Sequence, residues 1–467
     1  MKSHAIRRRA LAALLRPFTK VHAEEAAMVA LMAIAAFMLL AAYYLLKTVR
    51  EPLILLEGGA EVKLYARAGQ ALIMVAVVHF YGELARRFGR MKLLGIVFLF
   101  FMSNLGVFAI LSASDVSIGL PFFLWVGVFS YTVVAQFWAL AADIYTEEQG
   151  KRLFPIIGAG ASIGAVVGSL FAKSLVTSGP PVLMATSLGI LVGCATLIFW
   201  IERRAQAIAV AKTETAPEEP VAVQGAWRMF ARNRYLLAIA GLVVFLNWVN
   251  STGEYLLDRT LVAAAAEAAA EGASATTYIG AFKGDYYFWY NTLGVVFELF
   301  VVSRVFKWIG VRNALYFLPC FALGAYGVAT FLPILAVMRL VKIGENSMQY
   351  SLQDTTRHAL FLVATRAEKF VGKTATDTVA VRVGAIMSTV MVFVGSALDW
   401  STATFAAINV GLAVIWLGFV VLVGREHRRR TAENSARDSM SEPDRRAISA
   451  AASPGVPPPA GTLPAKA

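Results

Sequence analysis

The sequence contains few of the residue types that carry redox or metal chemistry. Its 467 residues include two cysteines and five histidines. Cys194 and Cys320 each stand in an apolar run and the histidines form no cluster, so the sequence predicts neither a disulfide framework nor a metal site. No nucleophile–base set is visible either, and we expect no cofactor.

Charge is also scarce, since charged residues make up 16% of the chain and hydrophobic residues 58%. Apolar runs of about 20 residues, enough to cross about 30 Å of hydrocarbon, recur along nearly the whole sequence. Lipid leaves no water to pair an exposed backbone, and this excludes an open sheet. The expected fold is therefore an all-α membrane protein.

The net charge of +13 could suggest a nucleic-acid partner. Its placement argues otherwise, because most cations fall in alternate loops, as the positive-inside rule requires. We therefore expect the lipid bilayer as partner and no nucleic acid, with both termini on the cytoplasmic side of the inner membrane. The basic start of the chain resembles a signal peptide, but the apolar run at 26–46 is too long for one.

The apolar runs predict twelve spans. They lie at residues 26–46, 66–84, 92–112, 118–142, 154–176, 181–201, 235–257, 286–305, 313–333, 334–353, 374–398 and 402–424. The resulting divisions are a basic amino terminus (1–24), a six-helix bundle (25–201), a polar linker (202–234), a second six-helix bundle (235–424) and a disordered tail (425–467).

The two bundles carry related sequences. Tyr44, Lys47 and Glu51 fall in step with Asn247, Asn250 and Glu254, and GRMKLL from Gly89 echoes GVRNAL from Gly310. Parallel repeats of this kind build carriers of the major facilitator type. The loop YGELARRFGRMKLLG resembles that superfamily's hallmark between spans two and three, with Arg86 in place of the expected aspartate. The alternative is a basic inner loop in which glycines make a tight turn.

Polar side chains recur inside several spans. On the first helix Lys47, Arg50 and Glu51 precede Pro52, where we expect a kink. These three charged residues mark either a water-filled transport path or the interfacial end of a helix, where the cations reach toward the lipid headgroups. On the tenth span polar residues recur every three or four positions and predict a cavity-lining stripe: Arg339, Lys342, Asn346, Gln349 and Gln353.

The remaining polar positions complete the candidate site. Asp377 and Arg382 of the eleventh span are five residues apart, so pairing between helices is expected for them. The candidate substrate-binding residues are Lys47, Arg50, Asn250, Arg339, Lys342, Lys373 and Arg382. The candidate gating or proton-coupling residues are Glu51, Glu254, Glu298, Glu345 and Asp377. Cations slightly outnumber anions, which favours an anionic solute.

The fifth span contains GAGASIGAVVG, with glycines at 160, 164 and 168. No strand precedes it, so it is not a dinucleotide fingerprint. Small residues four apart predict close packing of helices.

Three blocks resemble the nucleotide exchange carriers, or ATP/ADP translocases, of plastids and intracellular bacteria. They are YYLLKTVREPLIL, FWALAADIYTEEQGKRLFPIIGAGASIGAVVGS and FVGKTATDTVAVRVG. The resemblance implies transport of a nucleotide by exchange. It also implies phosphate contacts at Arg50 and Lys373, with Lys47 and Arg382 in support. The chain departs from the family near Val126, at Asn250 and at Ala385, positions where the family has charges that handle the nucleotide.

The leading hypothesis is a carrier for a nucleotide or other phosphorylated anion that works by alternating access. A proton-coupled facilitator carrier of another small organic solute is the second reading. A membrane-embedded enzyme or assembly subunit is the third.

Overall fold

The computed structural model describes residues 22, 25–114, 116–209, 233–361, 364, 368, 372, 373 and 376–439. The described residues are helical apart from short turns and connections, and they contain no strand. The predicted all-α fold is thus confirmed. Most of the predicted basic terminus, the linker residues 210–232 and the tail residues 440–467 lie outside the described residues.

Five helices precede the 210–232 segment, and we call them the amino-terminal group. They are α1 (Ala26–Arg87), α2 (Arg90–Ala113), α3 (Gly119–Ile144), α4 (Glu147–Leu175) and α5 (Pro180–Ala209). A short 3₁₀ turn, Val176–Ser178, joins α4 to α5.

The helices after that segment form the carboxy-terminal group. They are α6 (Arg234–Ala270), α7 (Ala275–Val296), α8 (Val302–Trp308), α9 (Gly310–Ala314), α10 (Phe317–Phe331), α11 (Leu335–Met348), α12 (Asp354–Leu360), α13 (Val381–Ala397) and α14 (Thr402–Ser439). Three π-helical segments extend these helices: Phe297–Val301, Gln349–Gln353 and Thr376–Ala380.

Nine helical segments of the described chain are long and apolar enough to cross a membrane, which makes this a multi-pass membrane protein. The 62 residues of α1 correspond to about 93 Å at 1.5 Å per residue, three times the hydrocarbon thickness. The predicted spans 26–46 and 66–84 both lie in α1. The break between them is at Gly59, where φ is 73°.

Two features of the helices differ from the sequence expectations. The backbone dihedrals stay helical at Pro52, and the helix is interrupted instead at Gly59, which adopts a positive φ that other residues avoid. The chain after residue 424 is also not disordered throughout, since α14 continues to Ser439. That extension is rich in Ala, Arg and Glu, which favour helix, and has no proline.

The glycines of α4 confirm the predicted close packing. A Cβ at Gly160 or Gly164 would overlap the backbone of Ala33 or Phe37 on α1. Gly158 points into open space instead. The 160, 164 and 168 positions therefore bring α4 against the backbone of α1.

The end of the bundle where α5 ends and α6 begins is called the linker side below. There Glu25 accepts hydrogen bonds from Gln149 (2.9 Å) and Arg152 (3.1 Å), which fasten the start of α1 to the start of α4. Burial alone would raise the pKa of Glu25, but the bonds from Arg152 and Gln149 bring that pKa below its usual 4.5. A similar contact joins Arg430 to Glu368 at 2.9 Å.

Each group has its own apolar core, and a smaller apolar cluster lies between the groups at the opposite end. We call that end the far side. The buried residues of this cluster come from both groups: Ile54, Leu55, Ala66 and Phe123 from α1 and α3, and Leu261, Ala265 and Ile279 from α6 and α7.

Candidate functional site

A network of buried charges joins the two groups just below the far-side cluster. Its centre is Glu51, whose residue surface is fully buried. Arg50 donates from Nε to Glu51 Oε1 at 3.2 Å, and Lys63 pairs with Glu51 Oε2. From the carboxy-terminal group, Asp258 contacts Lys63 Nζ at 2.6 Å and Lys283 Nζ at 2.5 Å. Lys283 Nζ is also 3.6 Å from Glu51.

Sequence reasoning missed three members of this far-side network. Lys63, Asp258 and Lys283 fall outside the predicted spans, but the structure places them inside helices and buries them. They stand just beyond the ends of apolar runs, where a hydropathy profile places loops. One signal was available, because Asp258 follows Glu254 by four residues and therefore shares its face of α6.

A second polar network lies within the carboxy-terminal group. Lys342 is fully buried, with Nζ 2.8 Å from Glu345 and 3.7 Å from Glu254. Tyr286 donates to Glu254 at 2.8 Å, and Tyr326 donates to Glu345 at 2.7 Å. Around it, Asn346 donates to Glu254, and Asn250 donates to Asn346 and to Gln349.

Lys47 has no carboxylate partner within 4.0 Å among the described residues. Its ammonium donates to the hydroxyl of Tyr290 at 2.8 Å. It also lies over the rings of Tyr287 at 4.4 Å and Tyr44 at 4.9 Å. Aromatic faces attract a cation without neutralising it. When Lys47 is protonated, no carboxylate among the described residues compensates its charge, and a ligand anion can do so.

Arg67 is a second such cation, and sequence reasoning did not select it. It is partly buried on α1 and makes no hydrogen bond or ion pair with another described residue. The charges of Glu254, Arg50 and Asp258 act on it. It therefore belongs to the same central region as Lys47. At the edge of a predicted span it looked like an ordinary interfacial arginine.

The central region carries more positive than negative side chains. Its cations are Lys47, Arg50, Lys63, Arg67, Lys283 and Lys342. Its carboxylates are Glu51, Glu254, Glu345 and Asp258. With these groups in their usual ionisation states the region has a surplus of two positive charges. Two of its cations, Lys47 and Arg67, have no carboxylate partner among the described residues. Such a surplus in a low-dielectric interior favours an anion.

A cavity of about 250 Å³ lies between the two groups, and its wall includes Tyr44 and Tyr290, two of the tyrosines that contact Lys47. It extends toward the linker side, because Leu40 precedes Tyr44 on α1 and Glu298, in the π-helical segment after α7, follows Tyr290 in the chain. The wall is formed by small and aromatic side chains with few polar groups. The polar and aromatic lining residues are Tyr44, Ser162, Tyr290, Asn291, Glu298 and Tyr350.

Two further predicted residues, Arg339 and Arg382, lie at the margins of this region. Arg339 pairs with Asp285, which also binds Lys173 of the amino-terminal group. Arg382 donates to the backbone carbonyl of Ala71 on α1 at 2.8 Å. Arg382 thus contacts the other group directly, whereas Arg339 is connected to it through Asp285.

The other predicted residues of the eleventh span lie toward the linker side. Asp377 pairs between helices, as expected, with Arg357 at 3.1 Å. Lys373 is close enough for its charge to act on His358. No described contact joins Lys373 to Arg50, so the two residues chosen by family resemblance stand apart in this conformation.

The described polar contacts between the two groups lie from the centre to the far side. Besides the far-side network they include Tyr255 donating to Glu61 at 2.7 Å and the contacts of Asp285 and Arg382. These contacts hold the two groups together at the far side, and the cavity lies on the linker side of them.

No family model matches the chain, and no curated protein matches it in sequence. Solved structures do match. The nucleoside transporter NupG is 13% identical with a TM-score of 0.56, over 86% of this chain and 99% of its own. The POT family transporter PepTSo is 11% identical with a TM-score of 0.59, over 86% and 98%. A bacterial homologue of the iron transporter ferroportin is 11% identical with a TM-score of 0.56, over 83% and 98%.

At these identities the similarity concerns the fold. The chain has the fold of major facilitator transporters, as predicted.

Proposed function

We propose that this protein is a secondary carrier that moves an anionic, phosphorylated organic solute across the membrane by alternating access, with nucleotides exchanged for one another. The main support is the positive surplus at the centre, where Lys47 and Arg67 have no carboxylate partner within the described part of the chain. A lone cation inside a membrane protein costs about 2.5–3.5 kcal/mol. Such residues are retained where a ligand or a wet path uses them.

The cavity wall supports an aromatic ring in the solute. Tyr44 and Tyr290 line the cavity beside Lys47, and Tyr290 stacks on Tyr350 at 5.9 Å between ring centroids. A cation next to tyrosine faces suits a phosphate joined to a planar base. The structural similarity to a nucleoside transporter is compatible with this class of solute. The resemblance of three sequence blocks to nucleotide exchange carriers points the same way.

The transport cycle follows from the closed far side. An anion enters from the linker side and neutralises Lys47 and Arg67. The far-side network then separates while the linker side closes around the solute. Lys373 remains a predicted phosphate contact. It would bind the phosphate while the solute enters from the linker side, before the solute reaches Lys47. Glu51, Glu254 and Asp377 are proposed to change partners during this movement.

Binding and counterflow measurements test the proposal. Lys47→Met retains a long side chain against the tyrosines but loses the charge. A hydrogen bond to a charged group contributes about 1.5–3 kcal/mol, so we expect ATP affinity in detergent to fall about 10- to 100-fold. Arg67→Gln and Arg50→Gln are expected to act in the same direction. Lys92→Met, at an exposed position of α2, is the matched control and should leave the affinity unchanged.

Proton coupling is the second candidate function, and the Lys342 network favours it. Lys342 is the shared ion-pair partner of two carboxylates, Glu254 and Glu345. A proton bound to one of these carboxylates would neutralise it in place of the lysine. Proteoliposomes loaded with unlabelled nucleotide separate the two functions. Counterflow of labelled nucleotide without a pH gradient supports exchange. Uptake that stops when the gradient is removed, and that Glu254→Gln abolishes, supports proton coupling instead.

A further inference from the structure

Two π-helical segments supply the residues at the linker-side mouth of the cavity. Glu298 belongs to Phe297–Val301, and Tyr350 belongs to Gln349–Gln353. π-Helical turns are rare and often occur at functional sites. Two such turns in the wall of one cavity mark its mouth as a place where the solute is recognised.

Two side chains of the cavity wall have unused hydrogen-bonding atoms. Glu298 is exposed and makes no hydrogen bond or ion pair with another described residue. Asn291 accepts a bond from Tyr44 at its Oδ1 (3.0 Å), but its buried Nδ2 has no partner. A buried donor without a partner costs about 1–3 kcal/mol. The cavity therefore presents a free acceptor at Glu298, and the unpaired amide of Asn291 is buried behind its wall.

A platform for a planar ring lies between them. The rings of Tyr290 and Tyr350 stack with an angle of 26° between their planes. Tyr350 is 58% exposed. A base can therefore pack on this pair, as bases stack on aromatic side chains of many proteins.

The order of these groups along α7 matches the length of a nucleotide. Lys47 binds the Tyr290 hydroxyl at 2.8 Å, at the deep end. Asn291 of α7 and Glu298 of the π-helical segment that follows are seven residues apart, which corresponds to about 10 Å along the helix axis. A phosphate at Lys47 would place its base near Tyr350 and Glu298.

Carboxylate chemistry then selects among the bases. An ionised carboxylate only accepts hydrogen bonds, and it binds best to two parallel donors. Guanine presents N1–H and an N2 amino group side by side on one edge. Adenine presents one amino group beside an acceptor nitrogen, and uracil one N–H between two carbonyl oxygens. We infer that Glu298 and Tyr350 form a base subsite that selects guanine nucleotides. This inference rests on the proposed function.

Nucleoside monophosphates test the subsite on the purified full-length protein. We expect GMP to bind at least 10-fold more tightly than IMP, which lacks the N2 amino group, and more tightly than AMP and UMP. Glu298→Gln should reduce the preference for GMP over IMP about 10-fold, because the amide loses one acceptor. Glu267→Gln, at an exposed position of α6, is the matched control and should keep the preference.

Inorganic pyrophosphate separates this inference from the function on which it rests. Binding of pyrophosphate that Lys47→Met weakens, together with equal affinity for all four nucleotides, overturns the subsite and leaves the anion carrier standing. The same affinities in Glu298→Gln and the parent protein overturn the subsite as well. If neither pyrophosphate nor any nucleotide binds, both proposals are wrong.

Discussion

Removal of Lys63 is expected to open the far side. Lys63 of α1 contacts both carboxylates of the far-side network, Glu51 in its own group and Asp258 in the other. In Lys63→Ala these carboxylates keep Lys283 as their shared partner, at 3.6 Å from Glu51 and 2.5 Å from Asp258. The ion pair between α1 and α6 is lost, and the hydrogen bond from Tyr255 to Glu61 is the described polar contact that still joins these two helices.

The size of the effect follows from burial. The side chains of Lys63, Glu51 and Asp258 are 3%, 1% and 3% exposed, so water does not replace the lost partner. Breaking a buried ion pair by removing one member costs about 3–5 kcal/mol. We take the lower value because Lys283 compensates in part. About 3 kcal/mol corresponds to roughly a 100-fold shift in equilibrium toward a separated far side.

Cysteine labelling measures that shift. Ala265 is fully buried in the far-side cluster, so a thiol in Ala265→Cys reacts with a maleimide only when the two groups separate. Both native cysteines are first replaced by alanine. We expect Lys63→Ala to raise the labelling rate by up to 100-fold. Lys63→Arg keeps the charge and should label slowly, and Arg86→Ala removes an exposed cation and should change nothing.

A labelling rate within twofold of the parent, in Lys63→Ala protein that still melts cooperatively, would refute this reasoning. The double variant Lys63→Ala with Asp258→Ala tests whether the charge imbalance causes the opening, independently of the loss of a side chain at position 63. It removes one charge of each sign and leaves Lys283 with Glu51. It should label more slowly than Lys63→Ala alone if charge imbalance causes the opening.

Two further predictions concern stability. Gly164→Val should lower the melting temperature, since overpacking costs about 1–3 kcal/mol and a Cβ there would overlap Phe37, whereas Gly158→Val meets open space and is the control. Equal melting temperatures would contradict the close α1–α4 contact. A carboxyl whose folded pKa is lowered, as at Glu25, stabilises the fold at neutral pH and loses that effect as the pH falls through the folded pKa. Glu25→Gln should therefore lower the melting temperature at neutral pH and converge with the parent in acid; a difference independent of pH would count against the Arg152 contact.

Much of the fold follows from residue patterns on single helices. Apolar runs of membrane length identified the helices, and the small residues of α4 predicted its packing on α1. Polar residues in apolar runs pointed to Lys47, Glu254 and Lys342, all of which lie in the central region. These signals are local, because each depends on the period and composition of one helix.

The far-side network could not be predicted in this way. Lys63 and Asp258 are 195 residues apart in the chain, and each stands near the end of an apolar run. Charges at such positions usually reach water, so burial becomes visible only when the partner is known. The break at Gly59 was missed for a related reason. Proline signals a kink in any helix, whereas a glycine breaks a helix only where the tertiary structure requires a positive φ.

Unpaired cations at the centre give a physical reason for exchange under the proposed function. Closing the linker side of an empty carrier would seal Lys47 and Arg67 in a drier cavity with no anion. At about 2.5–3.5 kcal/mol for each uncompensated charge, this adds about 5–7 kcal/mol to the closed state. A shift from 1:99 to 99:1 requires about 5.5 kcal/mol, so the penalty is large enough to block the return of an empty carrier. A bound phosphate removes the penalty in both directions. The carrier would then switch its binding site from one side of the membrane to the other only when loaded, which is the kinetic requirement for an exchanger.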